Sequence, residues 1–436
     1  MFSVDVYQQR RAALKAQLPA GATAVISAAE EVIRNRDAEY PFRQSSDFWY
    51  LTGFTEPDAV LVLRSDAPDR LFVRPRDPDR EVWTGRRLGP DRVPELLGIA
   101  EGLPLDALKT EMQAMLDETT WLEYPFDCAV TSRLIEQTLA DRKSQGRRHE
   151  LLSHRVDLSR RLHQARMIKG PEEIEAMQTA GRISAAGHVD AMRMCRPGLT
   201  EDQLAAVVEH RFRMEGSPAV AYQTIVGGGE NACILHYIDR QDPLHAGDLV
   251  LIDAGCEIEG YAGDITRTFP VNGQFSGAQA EIYDLVLHAQ TDALEQMCVG
   301  RSIRLYHQTA VRTLTEGLIE LGFIQGPLED ALEEKRFHPY YMHGTGHLLG
   351  LDVHDVGRYE NDGEPVLLEE GMVLTCEPGL YLSERLDIPE QFKGIGVRIE
   401  DDVLITADGP RVLTGDVPKT RDEIEALMRD GACAVS

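Results

Sequence analysis

Two aspartates, Asp253 and Asp264, interrupt the stretch LIDAGCEIEGYAGDITRTF, Leu251–Phe269. Its pattern reads as strand, turn, strand, reversing at Glu259-Gly260 as a two-residue loop. In that register Asp253 faces Thr266 and Asp264 faces Gly255. The two carboxylates then lie diagonally on one face, with backbones about 7–8 Å apart and side chains converging. Carboxylates brought together repel, and one must take up a proton unless a cation sits with them. The apolar LVLI directly before Asp253 argues against a solvated strand end, so the pair points to a divalent cation. Thr266, across from Asp253, becomes a candidate supporting residue.

Further ligands can be sought among histidines and glutamates in apolar settings. HGTGHLLGLDVHD, from His343 to Asp355, carries three histidines, His343, His347 and His354, with three glycines that argue against a simple helix and against HExxH chemistry. Glu377 ends the strand-like VLTCEPG. In IGVRIEDD, Val397 and Ile399 alternate with Arg398 and Glu400. A strand that buries an arginine and a glutamate on one face needs them paired or bound to metal. Two Asp, two Glu and one His form a carboxylate-rich set with one imidazole, suited to Mn2+, Co2+, Fe2+ or Zn2+. Four carboxylates exceed what one ion needs, and two ions about 3.5–4 Å apart, bridged by carboxylates, fit better.

The order Asp253, Asp264, His347, Glu377, Glu400, with LIDAGCEIEGYAGDITRTFPV, HGTGHLLGLDVHDVG, EPGLY and GVRIEDD around it, resembles the pita-bread metallopeptidase family, M24. EYPFRQSSDFWYLTGFTEPDAVLVL, Glu39–Leu63, resembles the N-terminal domain of the family's aminopeptidase P branch. The resemblance implies a bridging water or hydroxide between two metal ions, most often Mn2+. It implies that Asp253 binds one ion and His347 the other, that Asp264 and Glu400 bridge, and that Glu377 is both ligand and general base. His354 matches a residue that stabilises the tetrahedral intermediate or moves its proton. His236, in ENACILHY, and His343 match histidines of the substrate pocket. Arg398 and Tyr359 match residues that orient the site, Tyr359 at the substrate. Trp83, in EVWTGRRLGP, matches a tryptophan that projects toward a neighbouring subunit's site. The implied reaction is removal of the first residue from peptides with proline second. A proline there lacks the amide N–H and has a fixed φ, so only a pocket needing no donor at that position accepts it. The alternatives are a prolidase, cleaving Xaa-Pro dipeptides alone, and a metal-free relative acting as a creatinase or a binding module. The full ligand set speaks against the last, and the N-terminal motif against the first. The resemblance also implies a homo-oligomer, dimer or tetramer.

The elements that must carry these residues fall into two parts. A chain of 436 residues is too long for one ordinary core, and we expect domains at 1–165 and 166–436. The first mixes short strands, such as Ala59–Ser65 and Asp69–Pro75, with helices. It is expected to control substrate access and oligomerisation. It closes in the charged, strand-poor segment Asp141–Gly170. The second opens with Gly170-Pro171-Glu172-Glu173, a helix start, and continues through the capping boxes Thr200-x-x-Gln203, Ser276-x-x-Gln279 and Thr420-x-x-Glu423. Each half reads as two helices and then strands, including a helix over Ser302–Leu321 and strands at Met372–Pro378 and Gly394–Thr406. That pattern suggests an internally duplicated α+β catalytic domain after a smaller mixed α/β one. Gly227-Gly228-Gly229 lacks the GK[ST] of a phosphate loop and reads as a mobile loop beside the site.

Composition narrows the partners. A net charge of -27 argues against nucleic acid and anionic membrane surfaces as partners. No apolar run approaches the roughly 18 residues a membrane helix needs. Seven cysteines, odd in number and without a CxxC, fit a reducing compartment. Cys256 and Cys376, beside ligands, read as small core fillers. The polar start MFSVDVYQQRRAALKAQL has no signal-peptide core. Together these point to the cytoplasm.

Overall fold

The strands nearest the expected ligands are deeply buried. Leu249–Asp253 and Thr266–Pro270 are buried at every position, as are Val373–Cys376 and Ile395–Arg398. The computed structural model describes residues 2–144 and 152–434, with side chains to residue 431. It divides into two units, Met1–Ala165 and Arg166–Ser436.

In the first unit a six-stranded sheet runs in the order Glu101–Pro104, Arg70–Val73, Val60–Arg64, Ala22–Ser27, Trp121–Tyr124, His154–Asp157. Ala22–Ser27 lies at its centre, fully buried, antiparallel to Val60–Arg64 and parallel to Trp121–Tyr124. The segment expected to be poor in strands therefore supplies one. Its four residues HRVD sit on the sheet edge, half-exposed, where charge is tolerated and helps block further pairing. The helix Ser159–Met167 follows. The rest of that charged segment, at 145–151, lies outside the described residues, as does the side chain of Cys433.

The second unit is built twice over from a helix pair followed by strands. Pro171–Met194 packs on Glu201–Met214, and Gly277–Leu294 packs on Leu305–Glu320. Each start is explained locally. Pro171 pre-sets the first helical φ and the Glu173 side chain accepts from the Gly170 N–H at 2.8 Å. Thr200 and Ser276 accept from the amides of Gln203 and Gln279 while those side chains reach back. The buried face of Pro171–Met194 is mostly small, Ala176, Ala180, Ser184 and Ala191 among them. Small residues let the helix backbone come close to the strand pair that bears Asp264.

That strand pair turns at Glu259 (φ 53°) and Gly260 (φ 81°), both left-handed as a two-residue I′ turn requires. Asp253 pairs with Thr266 and Glu257 with Ala262, the register set by that turn. The hairpin is not one ribbon, however. Leu249–Asp253 and Thr266–Pro270 extend a sheet through Ile225–Gly228. Cys256–Ile258 and Tyr261–Ala262 join Ala219–Val220 instead. Gly255 makes the break: a Cβ there would lie 1.7 Å from the Gly263 carbonyl oxygen. The glycine triplet also differs from expectation. Gly227 and Gly228 are strand residues, with the Gly228 N–H held by buried Glu201 at 2.8 Å, and only Gly229 begins a turn. The six described cysteines are free, and Cys256 and Cys376 are buried core. No described helix is long and apolar enough to cross a membrane.

Candidate metal centre

Asp253 closes the Leu249–Asp253 strand and Asp264 sits in the break opposite Gly255, so the hairpin delivers both to one face. Their Oδ1 atoms lie 2.6 and 2.5 Å from the Tyr222 hydroxyl, whose single proton lies between them. The other half supplies the rest. His347 lies in an irregular run and Glu377 just beyond the Val373–Cys376 strand. The two segments pair through backbone: Thr375 N–H to the His347 carbonyl at 2.9 Å and Glu377 N–H to the Thr345 carbonyl at 2.8 Å. Glu400 falls in the interruption between Ile395–Arg398 and Asp401–Thr406, its N–H donating to the Thr266 carbonyl at 3.1 Å.

These groups share the floor of one cavity of about 600 Å³. His347 Nδ1 lies 3.0 Å from the Leu348 carbonyl, which can only accept, so Nδ1 carries the hydrogen. Nε2 is left facing the carboxylates, 3.6 Å from both Asp264 Oδ2 and Glu377 Oε1. Ligand atoms of Asp264, His347 and Glu400 all lie within 4.8 Å of one another. Thr266 donates its hydroxyl to Glu400 Oε2 at 2.6 Å and accepts from Arg398 Nε at 3.0 Å.

The site is short of positive charge. Among the described lining residues Arg398 is the sole permanent cation, and its Nη2 is committed to Asp253 at 2.6 Å. Burial raises Asp253 above its usual range, with Arg398 opposing and Asp264 adding to the rise. Burial and the surrounding carboxylates push Glu400 well up. Burial lifts Glu377 to about 7 against His347 and Arg398. His347 goes the other way from what burial dictates, reaching about 9 because Asp264 and Glu377 hold its charge. Four clustered carboxylates that cannot all ionise, with one imidazole nitrogen bared toward them, fit divalent cations of hard or borderline character.

The structure brings together all five expected ligands, with Arg398, His236, His343 and His354, around the one cavity. His343 is neutral, lowered to about 3 by burial and Arg398. Its Nδ1–H donates to the Gly344 carbonyl at 2.7 Å and its Nε2 accepts from the Tyr381 hydroxyl at 2.7 Å. His354 and His236 are exposed at the cavity wall, His354 edge-on to His347 with ring centres 4.3 Å apart. Two expected residues stand apart. Tyr359 does not line the cavity, and its hydroxyl accepts the Leu348 N–H at 2.9 Å, steadying the backbone next to His347. Trp83 lies in the first unit on the helix Pro78–Thr84, which buries none of its residues, and is 87% exposed. Tyr222, Tyr381 and Asp402 escaped the sequence reading. Asp402, raised well above the usual carboxylate range by burial and Asp264, accepts the Asp264 N–H at 3.1 Å. The YQT before the glycine triplet carries no distinguishing pattern. Tyr381 lies in EPGLY, where the tyrosine alone offered a signal.

Comparison with known proteins gives the family of the chain. The model of metallopeptidase family M24 matches residues 175–407, and that of the aminopeptidase P N-terminal domain matches residues 7–122. The chain belongs to metallopeptidase family M24. Within that family it is 45% identical to the Xaa-Pro aminopeptidase of Escherichia coli, over 97% of each chain. It is 35% identical to human Xaa-Pro aminopeptidase 3, over 93% of this chain and 80% of that one. Among solved structures, aminopeptidase PepP of Pseudomonas aeruginosa superposes with a TM-score of 0.96 at 41% identity, covering 99% of both chains. A variant of E. coli aminopeptidase P in complex with substrate gives 0.96 at 44%, again covering 99% of both.

Proposed function

We propose that the chain is an Xaa-Pro aminopeptidase, releasing the first residue from peptides with proline in second position. The observation that carries this is the convergence of Asp253, Asp264, His347, Glu377 and Glu400 on one cavity floor with too little positive charge of their own. That set would hold two divalent ions, Mn2+ foremost, with Co2+, Zn2+ or Fe2+ as substitutes. Asp253, Asp264, His347, Glu377 and Glu400 would hold them. Such ions supply a water nucleophile near neutral pH and polarise the scissile carbonyl.

The chain's own residues do the rest. Glu377, on the cavity floor, would take the proton of the attacking water on a carboxylate oxygen. It returns that proton to the proline nitrogen as the C–N bond breaks. Arg398 fixes the Asp253 carboxylate and, through Nη1 at 3.0 Å, the Tyr381 hydroxyl that in turn holds His343. His354 and His236 are placed to meet the substrate from the cavity wall, His354 at the developing oxyanion.

The first unit's role is substrate access and oligomer formation. The bare face of the Pro78–Thr84 helix and exposed Trp83 suit contact with another copy, in a dimer or tetramer. Free, scattered cysteines and high acidity suit the cytoplasm. A prolidase on the same fold is not favoured, since relatives matching both units over nearly their full length are Xaa-Pro aminopeptidases. Assays on Xaa-Pro-Yaa and Xaa-Pro peptides with added Mn2+ test the proposal. Turnover of the tripeptide is expected, and cleavage of the dipeptide alone would overturn it.

A further inference from the structure

The HGTGH run that bears His347 has no regular structure of its own, so something else must fix it. Gly346 passes so near the neighbouring strand that a Cβ would lie 2.1 Å from the Thr375 carbonyl oxygen. The contact that sets Thr345 in this run comes from another element, the first turn of the Leu305–Glu320 helix. The Thr345 N–H points at His307 Nδ1 at 3.2 Å, which makes Nδ1 an acceptor and places the ring hydrogen on Nε2. The Thr345 hydroxyl, 2.8 Å from the same nitrogen, must then donate to it as well. That leaves the Thr345 oxygen to accept from the Tyr341 hydroxyl at 2.7 Å. In that tautomer the donors run in one direction, from Tyr341 through Thr345 to His307. Tyr341 and Thr345 are each 1% exposed, so water cannot substitute for a lost partner there. Burial holds the His307 imidazole below its usual range, in keeping with a neutral acceptor.

Thr345 in turn accepts the Glu377 N–H on its carbonyl at 2.8 Å, two residues before His347. The Thr375 hydroxyl accepts the His347 N–H at 3.0 Å and reaches Glu377 Oε1 at 3.3 Å. One anchored residue therefore governs the spacing of two ligand side chains. We propose that His307 is a positioning residue for the metal centre, its Nδ1 lone pair clamping Thr345 and so setting the distance between His347 and Glu377. The inference rests on the metallopeptidase reading above.

Two substitutions separate clamping from packing. His307→Asn keeps an acceptor oxygen near the Nδ1 position but loses the ring, whereas His307→Phe keeps the ring and loses the acceptor. His307→Gln moves the acceptor outward, away from Thr345, and serves as a second probe with no acceptor at the Nδ1 position should the phenylalanine variant fold poorly. Chelator-stripped protein is titrated with Mn2+ by calorimetry, alongside kcat and KM on an Xaa-Pro-Yaa peptide. The Phe and Gln variants are expected to lose about 10- to 100-fold in Mn2+ affinity and in kcat, with KM moving less, as for other outer partners of metal ligands. The Asn variant should recover most of that loss. Retention of wild-type Mn2+ affinity by the Phe variant, or equal damage in Asn and Phe, overturns the inference. Wild-type protein that binds no Mn2+ would instead overturn the metallopeptidase reading.

Discussion

Glu400 and Asp401 are consecutive and both buried, yet their carboxyl groups are driven in opposite directions. Asp401 is saturated. Its Oδ1 accepts from Arg267 at 2.7 Å and from the Thr414 hydroxyl at 2.8 Å. Its Oδ2 accepts from Lys419 at 2.8 Å and from Gln290 at 3.1 Å. Burial raises it, but Arg267 and Lys419 more than reverse that, and it is held below the usual carboxylate range. Glu400 has the Thr266 hydroxyl and faces Asp264, Glu377 and Asp253, whose effect, added to burial, outweighs the opposing charge of Arg398. Identical burial thus makes one carboxylate an anchor and leaves its neighbour in need of a cation. Arg267 joins the two, since its Nη1 donates to the carbonyls of Thr266 at 3.0 Å and Glu400 at 2.5 Å. The compensated cluster grips the backbone from which the uncompensated ligand projects.

The comparison breaks first at Asp264. Asp264→Asn removes one of the mutually repelling carboxylates. Turnover is expected to fall by more than the roughly 100-fold that losing a supporting partner costs. The melting temperature of the metal-free protein should hold or rise. Near-native turnover would contradict a shared ligand, and a large loss of metal-free stability would contradict the charge excess. On the other side of the comparison, Asp401→Asn leaves buried Arg267 without its counter-charge. A loss of about 3–5 kcal/mol in urea unfolding is expected. An unchanged midpoint would show that the cluster is not an anchor.

How far this contrast was legible in the sequence depends on which forces set it. The diagonal of Asp253 and Asp264 and the pairing of Asp253 with Thr266 follow from period-two alternation and a two-residue turn, both local. Capping boxes at Thr200 and Ser276 are local too. The glycine triplet misled because turn composition was read without the Glu201 carboxylate, which reaches Gly228 from 27 residues away. Tyr222 between the aspartates and Arg267 beneath Glu400 carry no motif, because their partners are distant in sequence. Tyr359 was expected to orient the site at the substrate; that its hydroxyl accepts the Leu348 N–H depends on how an irregular loop folds back. Asp401 carries no signal of its own in IEDD, because Arg267 and Lys419, which hold its carboxylate, lie elsewhere in the sequence.

A third response to burial, staying neutral, sharpens the same contrast. His188 is fully buried and donates from Nε2 to the Ala254 carbonyl at 3.0 Å, next to Asp253. Burial lowers it from 6.5 to about 4, so at neutral pH it adds no charge to either cluster. The unfolded chain takes up the proton at higher pH than the folded one. Stability from neutral His188 is therefore complete above about 6.5 and drains away as pH falls toward 4, by roughly 3 kcal/mol. Comparing urea unfolding of wild type and His188→Gln across that range isolates the effect. The wild-type advantage should shrink toward pH 4, and a difference independent of pH would show that His188 is not held neutral.

The finest test concerns Thr266, which touches both clusters, through its hydroxyl to Glu400 and through its carbonyl to Arg267. Thr266→Val keeps shape and backbone and deletes only the hydroxyl, leaving Glu400 Oε2 without that donor and Arg398 Nε without that acceptor. If the residue serves the uncompensated side, Mn2+ affinity measured by calorimetry falls about 10- to 100-fold. Metal-free stability then moves by only about 1–3 kcal/mol. If it serves the anchor, the pattern inverts, with stability falling as in Asp401→Asn and Mn2+ affinity kept. The first outcome is expected, because the anchor grips Thr266 by its carbonyl, which valine retains. A ligand oxygen, by contrast, is held by the hydroxyl itself.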